Sequence, residues 1–245
     1  MKETIYTIPV NEVFSEKCFC PFCKLYARLE QEEIKYALGP AMMEPDYRAI
    51  TNEQGFCKHH MREVNALPKA LALSLVIESH LDTIKEAFDI DVLGEKKKLS
   101  LKKETTKKDE HKEKINAVNN GCAICSKINR HFLRYIDTFI DMAKDKEFLE
   151  KIKESDGFCL PHYELIFDAA RKKLSGKDFK EIFGVIMEAE KKKFEKYEKD
   201  IKTFIESFDY QNAGKTCSAP SDTVIKASYF LNGEFDKPNK KLEDV

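Results

Sequence analysis

Gly55-Phe56-Cys57-Lys58-His59-His60 and Gly157-Phe158-Cys159-Leu160-Pro161-His162 carry one pattern, Gly-Phe-Cys-x-x-His, 102 positions apart. A second pattern keeps the same offset: Cys20-Pro21-Phe22-Cys23 recurs as Cys122-Ala123-Ile124-Cys125. Each half of the chain therefore reads C-x2-C, thirty-three residues, then C-x2-H. Aligned without gaps at that offset, residues 20–60 and 122–162 agree at ten of forty-one positions, and four of the ten are the Cys/His positions themselves. This is an internal repeat, and it organises the rest of the reading. It also separates the adjacent histidines: Pro161 stands opposite His59 and His162 opposite His60, so His60 is the candidate ligand and His59 its neighbour.

Working outward, the residues after each C-x2-C are spaced as helices. Leu25, Tyr26, Leu29, Ile34 and Leu38 form one stripe, and Ile128, Phe132, Tyr135, Ile136, Phe139 and Ile140 form another. Gly55 and Gly157 suit helix C-terminal caps. Each C-x2-H then opens a further helix, with Pro161 in a first turn. Longer helices are expected from Pro68 to about Leu93 and from Lys177 to about Phe208. Phe194, Tyr197, Ile201, Phe204 and Phe208 are the expected packing seam of the latter. Composition agrees: nine glycines and eight prolines in 245 residues fall below an average usage of about 12%. The expected fold is all-α, two homologous helical modules each stapled by a Cys3His metal site and packed as one body. The expected domains are residues 1–93 and 119–209, a Lys-rich linker at 94–118, and a tail at 210–245 in which Thr223 to Leu231 forms a short helix docking back.

Three thiolates and an imidazole make a closed tetrahedral donor set for zinc. Two ions per chain are expected, with ligands Cys20, Cys23, Cys57, His60, Cys122, Cys125, Cys159 and His162. The spacing leaves open whether each half holds its own ion or the halves exchange ligands. Cys18 and Cys217 fall outside the repeat, and His80, His111 and His131 read as satisfied or surface residues. The net charge of −1 supplies no global field for nucleic acid. Glu95 to Lys114 holds nine lysines and five acids, which reads as a solvated linker rather than a nucleic-acid arm. No apolar run is long enough for a signal peptide or a membrane span, so a cytoplasmic location is expected, where thiols stay reduced.

No phosphate loop, Ser/His/Asp order or His-Glu-x-x-His motif is present. The leading reading is a binding or adaptor protein with structural zinc and an unknown protein or small-molecule partner. Its candidate ligand or partner surface is the unduplicated corner containing Met42, Glu44, Asp46 and Arg48, which also reads as a helix start at Pro45. The alternative is a thiol- or metal-dependent enzyme using one Cys/His set. Cys20-Pro21-Phe22-Cys23 looks like a glutaredoxin loop, with Ile5 to Val10 as the preceding strand.

Several stretches together carry a resemblance. They are Tyr6-Thr7-Ile8-Pro9-Val10, Cys20-Pro21-Phe22-Cys23, the segment Gly39 to Arg48, Asn52 to Cys57, Gly157 to His162 and Phe208-Asp209-Tyr210. The chain resembles an uncharacterised family of bacterial proteins of about this length, found mainly in anaerobic Gram-positive species. The resemblance covers nearly the whole chain and implies no activity. The lysine-rich linker and Cys217-Ser218 depart from the family pattern.

Overall fold

The computed structural model describes residues 4–90, 107–212 and 217–233. Residues 94–106 of the Lys-rich segment lie outside the described residues. Every regular element among the described residues is helical. The order is α1 (Thr7–Phe14), α2 (Pro21–Ala37), a 3-10 turn (Pro40–Met43), α3 (Pro45–Gln54), α4 (Lys58–Asn65) and α5 (Ala70–Phe88). After the gap come α6 (Lys107–Asn120), α7 (Ala123–Met142), α8 (Lys146–Glu154) and α9 (Leu160–Lys173). A turn α10 (Gly176–Asp178) leads through a π turn (Phe179–Phe183) into α11 (Gly184–Glu206), and α12 (Thr223–Asn232) follows. No helix is long and apolar enough to cross a membrane. The 102-residue offset recurs in the helix starts: α7 begins that far after α2, and α9 that far after α4.

The chain divides into two compact units, neither a consecutive stretch. The first contains residues 4–29 with residues 130–212 and 217–233, and the second residues 30–90 with 107–129. The division falls inside α2 and α7, which contribute residues to both units.

The core of the first unit is aromatic. Phe22 is fully buried, its ring centroid 5.3 Å from Phe139, 5.9 Å from Phe132, 5.9 Å from Phe158 and 6.2 Å from Phe14. Such edge-to-face and offset contacts add about 0.5–1.5 kcal/mol each beyond the area they bury. Asp145 caps α8 by accepting the backbone N–H groups of Glu147 (3.0 Å) and Phe148 (3.3 Å), satisfying donors the helix itself leaves open. The tail helix forms as expected: Phe230 is buried, its ring 5.5 Å from Tyr197. The expected seam on α11 holds at Tyr197 and is otherwise displaced toward the start of the helix. Phe194 is half-exposed and Phe208 lies beyond the helix at 76% exposure, while Ile186, Ala189, Glu190, Lys193 and Tyr197 are the buried set. Two charged residues therefore occupy the inward stripe, which an apolar-only reading of periodicity passes over.

In the second unit α3 packs on α5 and α6, with Tyr47, Thr51, Leu73, Val76 and Ala87 buried. Gly55 caps α3 at φ +56°, its N–H donating to Thr51 O at 2.9 Å. A Cβ there would come within 2.5 Å of His80 Nε2, so the site demands glycine for space as well as for dihedral angle. His80 itself is satisfied by Asn52 O at 2.6 Å, and His111 by Ala87 O at 2.8 Å. In the first unit, His131 lies 3.3 Å from Tyr6 OH.

Two candidate metal centres

Each of the four Cys-containing corners stands at the start of a helix. Cys57 and Cys159 are the N-cap residues of α4 and α9, while Cys20 and Cys122 immediately precede α2 and α7. In all four the cysteine carbonyl accepts the first helical hydrogen bond, from Met61, Tyr163, Lys24 and Ser126 respectively. The free N–H groups of such a first turn, and the helix dipole, favour thiolate over thiol.

The donors assemble across the repeat. In the first unit Cys20 and Cys23 meet Cys159 and His162, and all four are buried. In the second Cys57 and His60 meet Cys122 and Cys125, with His60 and Cys122 buried and Cys57 and Cys125 half-buried. The pairing that spacing left open is thus an exchange: each C-x2-C is completed by the C-x2-H of the other half. A module stapled within a single half is corrected accordingly.

The donor geometry fits a tetrahedral ion. With Zn–S near 2.3 Å and Zn–N near 2.05 Å, the tetrahedron's edges are about 3.8 Å between sulfurs and about 3.5 Å between sulfur and nitrogen. At the first centre Cys23 Sγ is 3.7 Å from Cys159 Sγ, and His162 Nδ1 is 3.5, 3.5 and 3.1 Å from the sulfurs of Cys20, Cys23 and Cys159. At the second Cys57 Sγ is 3.8 Å from Cys125 Sγ, and His60 Nδ1 is 3.3, 3.3 and 3.2 Å from Cys57, Cys122 and Cys125. The sulfurs are nowhere near the roughly 2.04 Å of a disulfide, and all eight cysteines are free thiols.

Electrostatics within each cluster are uneven. At the second centre, hydrogen bonds from Cys122 and Cys125 hold Cys57 far below an ordinary thiol, and hydrogen bonding to Cys122 and Cys57 pushes Cys125 far above. At the first centre burial opposes ionisation of Cys20, but hydrogen bonds from Cys159, Cys23 and His162 outweigh it, while hydrogen bonding to Cys20 and Cys23 raises Cys159. Three adjacent sulfurs cannot all shed their protons without a cation among them. A divalent metal held by these residues would supply that charge and displace the protons.

The surroundings of the two centres differ. At the second, Ala123 N–H donates to Gly55 O at 3.0 Å and Ser126 Oγ to Gln54 Oε1 at 2.7 Å, tying the two corners together directly. At the first, Pro21 occupies the position equivalent to Ala123 and has no N–H to give. There α11 clamps both corners instead. Glu190 Oε2 accepts Phe158 N–H at 2.9 Å, and Lys193 Nζ donates to Phe19 O at 2.5 Å. Burial pushes the Glu190 carboxyl up to about 7 and lowers the Lys193 ammonium. Gly157, at φ +75°, lies against both side chains: a Cβ there would sit 3.1 Å from Glu190 Oε2 and 3.3 Å from Lys193 Cδ.

The histidines differ likewise. Glu30 Oε1 lies 3.3 Å from His60 Nε2, within ion-pair distance though not aligned as a hydrogen bond, and 2.9 Å from His59 Nε2. The His60 ring beside it, and then the His59 ring, hold the Glu30 carboxyl below the usual carboxylate range. At the first centre His162 Nε2 is buried with no hydrogen-bond partner among the described residues, and its ring lies 5.2 Å from Phe132 and 6.1 Å from Phe22. A carboxylate behind a ligating imidazole orients the ring and raises its basicity. Glu30→Ala is therefore expected to weaken metal at the second centre about tenfold and to leave the first unchanged. Competition with a chromophoric chelator, read as fast and slow release, measures both.

The remaining candidates are placed as follows. Cys18 lies outside both clusters, its sulfur 3.9 Å from Val13 O and its thiol pushed up to about 11 by burial, and Cys217 is exposed. The strand proposed for Ile5 to Val10 is instead a turn at Ile5 and Tyr6 followed by the start of α1, and no strand occurs among the described residues, which removes the glutaredoxin architecture. At the unduplicated corner Pro45 opens α3 with Asp46 in its first turn. Tyr36 OH donates to Glu44, and Arg48 to Ser79 Oγ. Met42 and Arg48 are half-buried, and Glu44 and Asp46 are exposed. Glu30, Glu190 and Lys193 carried no signal in the Cys/His spacing.

The described residues define a helical protein with two Cys3His clusters, each at paired helix starts, that could hold metal ions. Its family is shown directly: the family model described as "Family of unknown function (DUF6062)" matches residues 1–238, and the chain belongs to that family. No curated protein and no solved structure matches the chain significantly.

Proposed function

We propose that the chain is a binding or adaptor protein whose two Cys3His centres hold structural zinc. The observation that supports this most strongly is the closure of both donor sets. Four protein ligands at tetrahedral spacing leave no position for a substrate or a reactive water. Eight free thiols, six of them in the clusters, favour a reducing compartment, and the cytoplasm is the proposed location. The exposed Met43, Glu44 and Asp46 at the start of α3, with Met42 and Arg48 beside them, are the proposed contact surface.

Metal analysis of the chain purified without chelator tests the reading. Two zinc ions per chain are expected, with Cys20 unreactive toward an alkylating reagent until metal is removed. A folded, metal-free chain whose Cys20 is rapidly alkylated would instead assign the thiols to redox chemistry.

A further inference from the structure

One cavity in the first unit is unrelated to the proposed contact surface. It has a volume of about 460 Å³ and lies between the segment preceding α2, the end of α8, α11 and α12. Six lysines line it, Lys17, Lys153, Lys192, Lys193, Lys196 and Lys226, against a single carboxylate, Asp156. In a chain of net charge −1 that is a concentrated local excess.

The lysines are of two kinds. Lys193 forms part of the wall and is 5% exposed. Its ammonium stands 3.9 Å from the Phe19 ring centroid and donates to Phe19 O. An ammonium has three N–H donors, so two remain for a ligand. Burial opposes its charge, and the groups that favour it are the thiols of the first centre and Glu190, three residues earlier on α11. The other five lysines are exposed. Lys153, Lys192 and Lys226 lean on Glu150, Glu188 and Asp222 in short-range surface pairs at 2.5, 3.1 and 2.8 Å. Such pairs are worth about 0–1 kcal/mol and yield readily to a stronger anion. Lys17 and Lys196 have no ion pair among the described residues. Phe19 and Tyr197, ring centroids 6.4 Å apart, add aromatic surface to the same wall.

We infer that this cavity binds a phosphorylated small molecule of about nucleotide size. The volume is in the range of small-molecule sites, about 300–1,000 Å³. The phosphate would take the spare Lys193 donors and the flexible ammoniums of Lys17 and Lys196, and the organic part would rest against Phe19 and Tyr197. A multiply charged anion is the ligand chemistry that satisfies a buried ammonium ringed by mobile ones. This site does not depend on the proposed contact surface at the start of α3. It borders the first metal centre through Phe19, the residue before Cys20, and through Lys193, which holds Phe19 O.

Calorimetric titration of the full chain, purified without chelator, with adenosine monophosphate and with inorganic phosphate tests the inference. Monophosphates are chosen because they compete weakly for zinc. Saturable one-to-one binding is expected for adenosine monophosphate, weakening as salt is raised. Lys17→Glu/Lys196→Glu, altered only at exposed positions, is expected to bind at least about tenfold more weakly, a loss of about 1.4 kcal/mol, with its metal content unchanged. Lys193→Met is expected to abolish binding. Absence of binding at millimolar ligand overturns the proposal, as does affinity that is unchanged in the double variant. If Lys193→Met loses metal while keeping wild-type affinity for the nucleotide, Lys193 acts only as the clamp on Phe19 and the proposal fails.

Discussion

Cys20→Ser and Cys159→Ser are expected to remove the same metal ion, although the two residues lie in different halves of the repeat. Each replaces one of four donors in the cluster formed with Cys23 and His162. Combined, they should cost little more than either alone, because a site already emptied cannot be emptied twice. Cys20→Ser combined with Cys57→Ser should strip both ions, since Cys57 belongs with His60, Cys122 and Cys125. The energies at stake are large. A structural zinc site contributes on the order of 10 kcal/mol to folding, comparable to the whole stability of an ordinary domain, about 5–15 kcal/mol. Each single variant should therefore lose cooperative melting in one unit as well as one ion. Metal analysis beside thermal unfolding reads both. If Cys20→Ser and Cys57→Ser prove redundant with each other, the donors are grouped by sequence half and the exchanged arrangement is wrong.

That exchange marks where the sequence stops being legible. Spacing singled out all eight donors, because C-x2-C and C-x2-H put two ligands on one face of a first helical turn wherever they occur. It could not pair them, since the two halves offer identical donor sets and the pairing appears only in the folded chain. Gly55 was readable as a cap, yet its second role, making room for the His80 ring, depends on a helix that begins fifteen residues later. The seam on α11 was misplaced for a related reason. Glu190 and Lys193 face inward to hold the backbone on either side of the first centre, and a charged residue at a core position looks like surface until its partner is known. The need for that clamp was visible in principle. Pro21 stands where the other copy has Ala123, and a proline cannot make the backbone bond that joins the corners of the second centre. Glu30, ten positions after Cys20, reaches His60 only through the exchange.

The aromatic core supplies the second large effect. Phe22 sits between the two ligands of its own C-x2-C, is fully inaccessible, and packs on four phenylalanines and on the His162 ring. Phe22→Ala should cost about 3–5 kcal/mol, the transfer of the ring plus the cavity it leaves. In a chain of this size that corresponds to a fall in melting temperature of roughly 6–20 °C. The equivalent residue of the other copy, Ile124, is also fully buried. Ile124→Val removes only a methylene there and should cost about 0.5–1.5 kcal/mol. Because Phe22 is fixed to the helix start that presents Cys20 and Cys23, its loss should also loosen metal at the first centre and spare the second. Phe22→Leu separates the two consequences, keeping an apolar side chain in the space and, with it, most of the metal affinity. Melting curves and chelator competition on the three variants give the answer. Should Phe22→Ala cost less than Ile124→Val, the first unit is held by its metal ligands and the clamp from α11, and the aromatic cluster is filling rather than support.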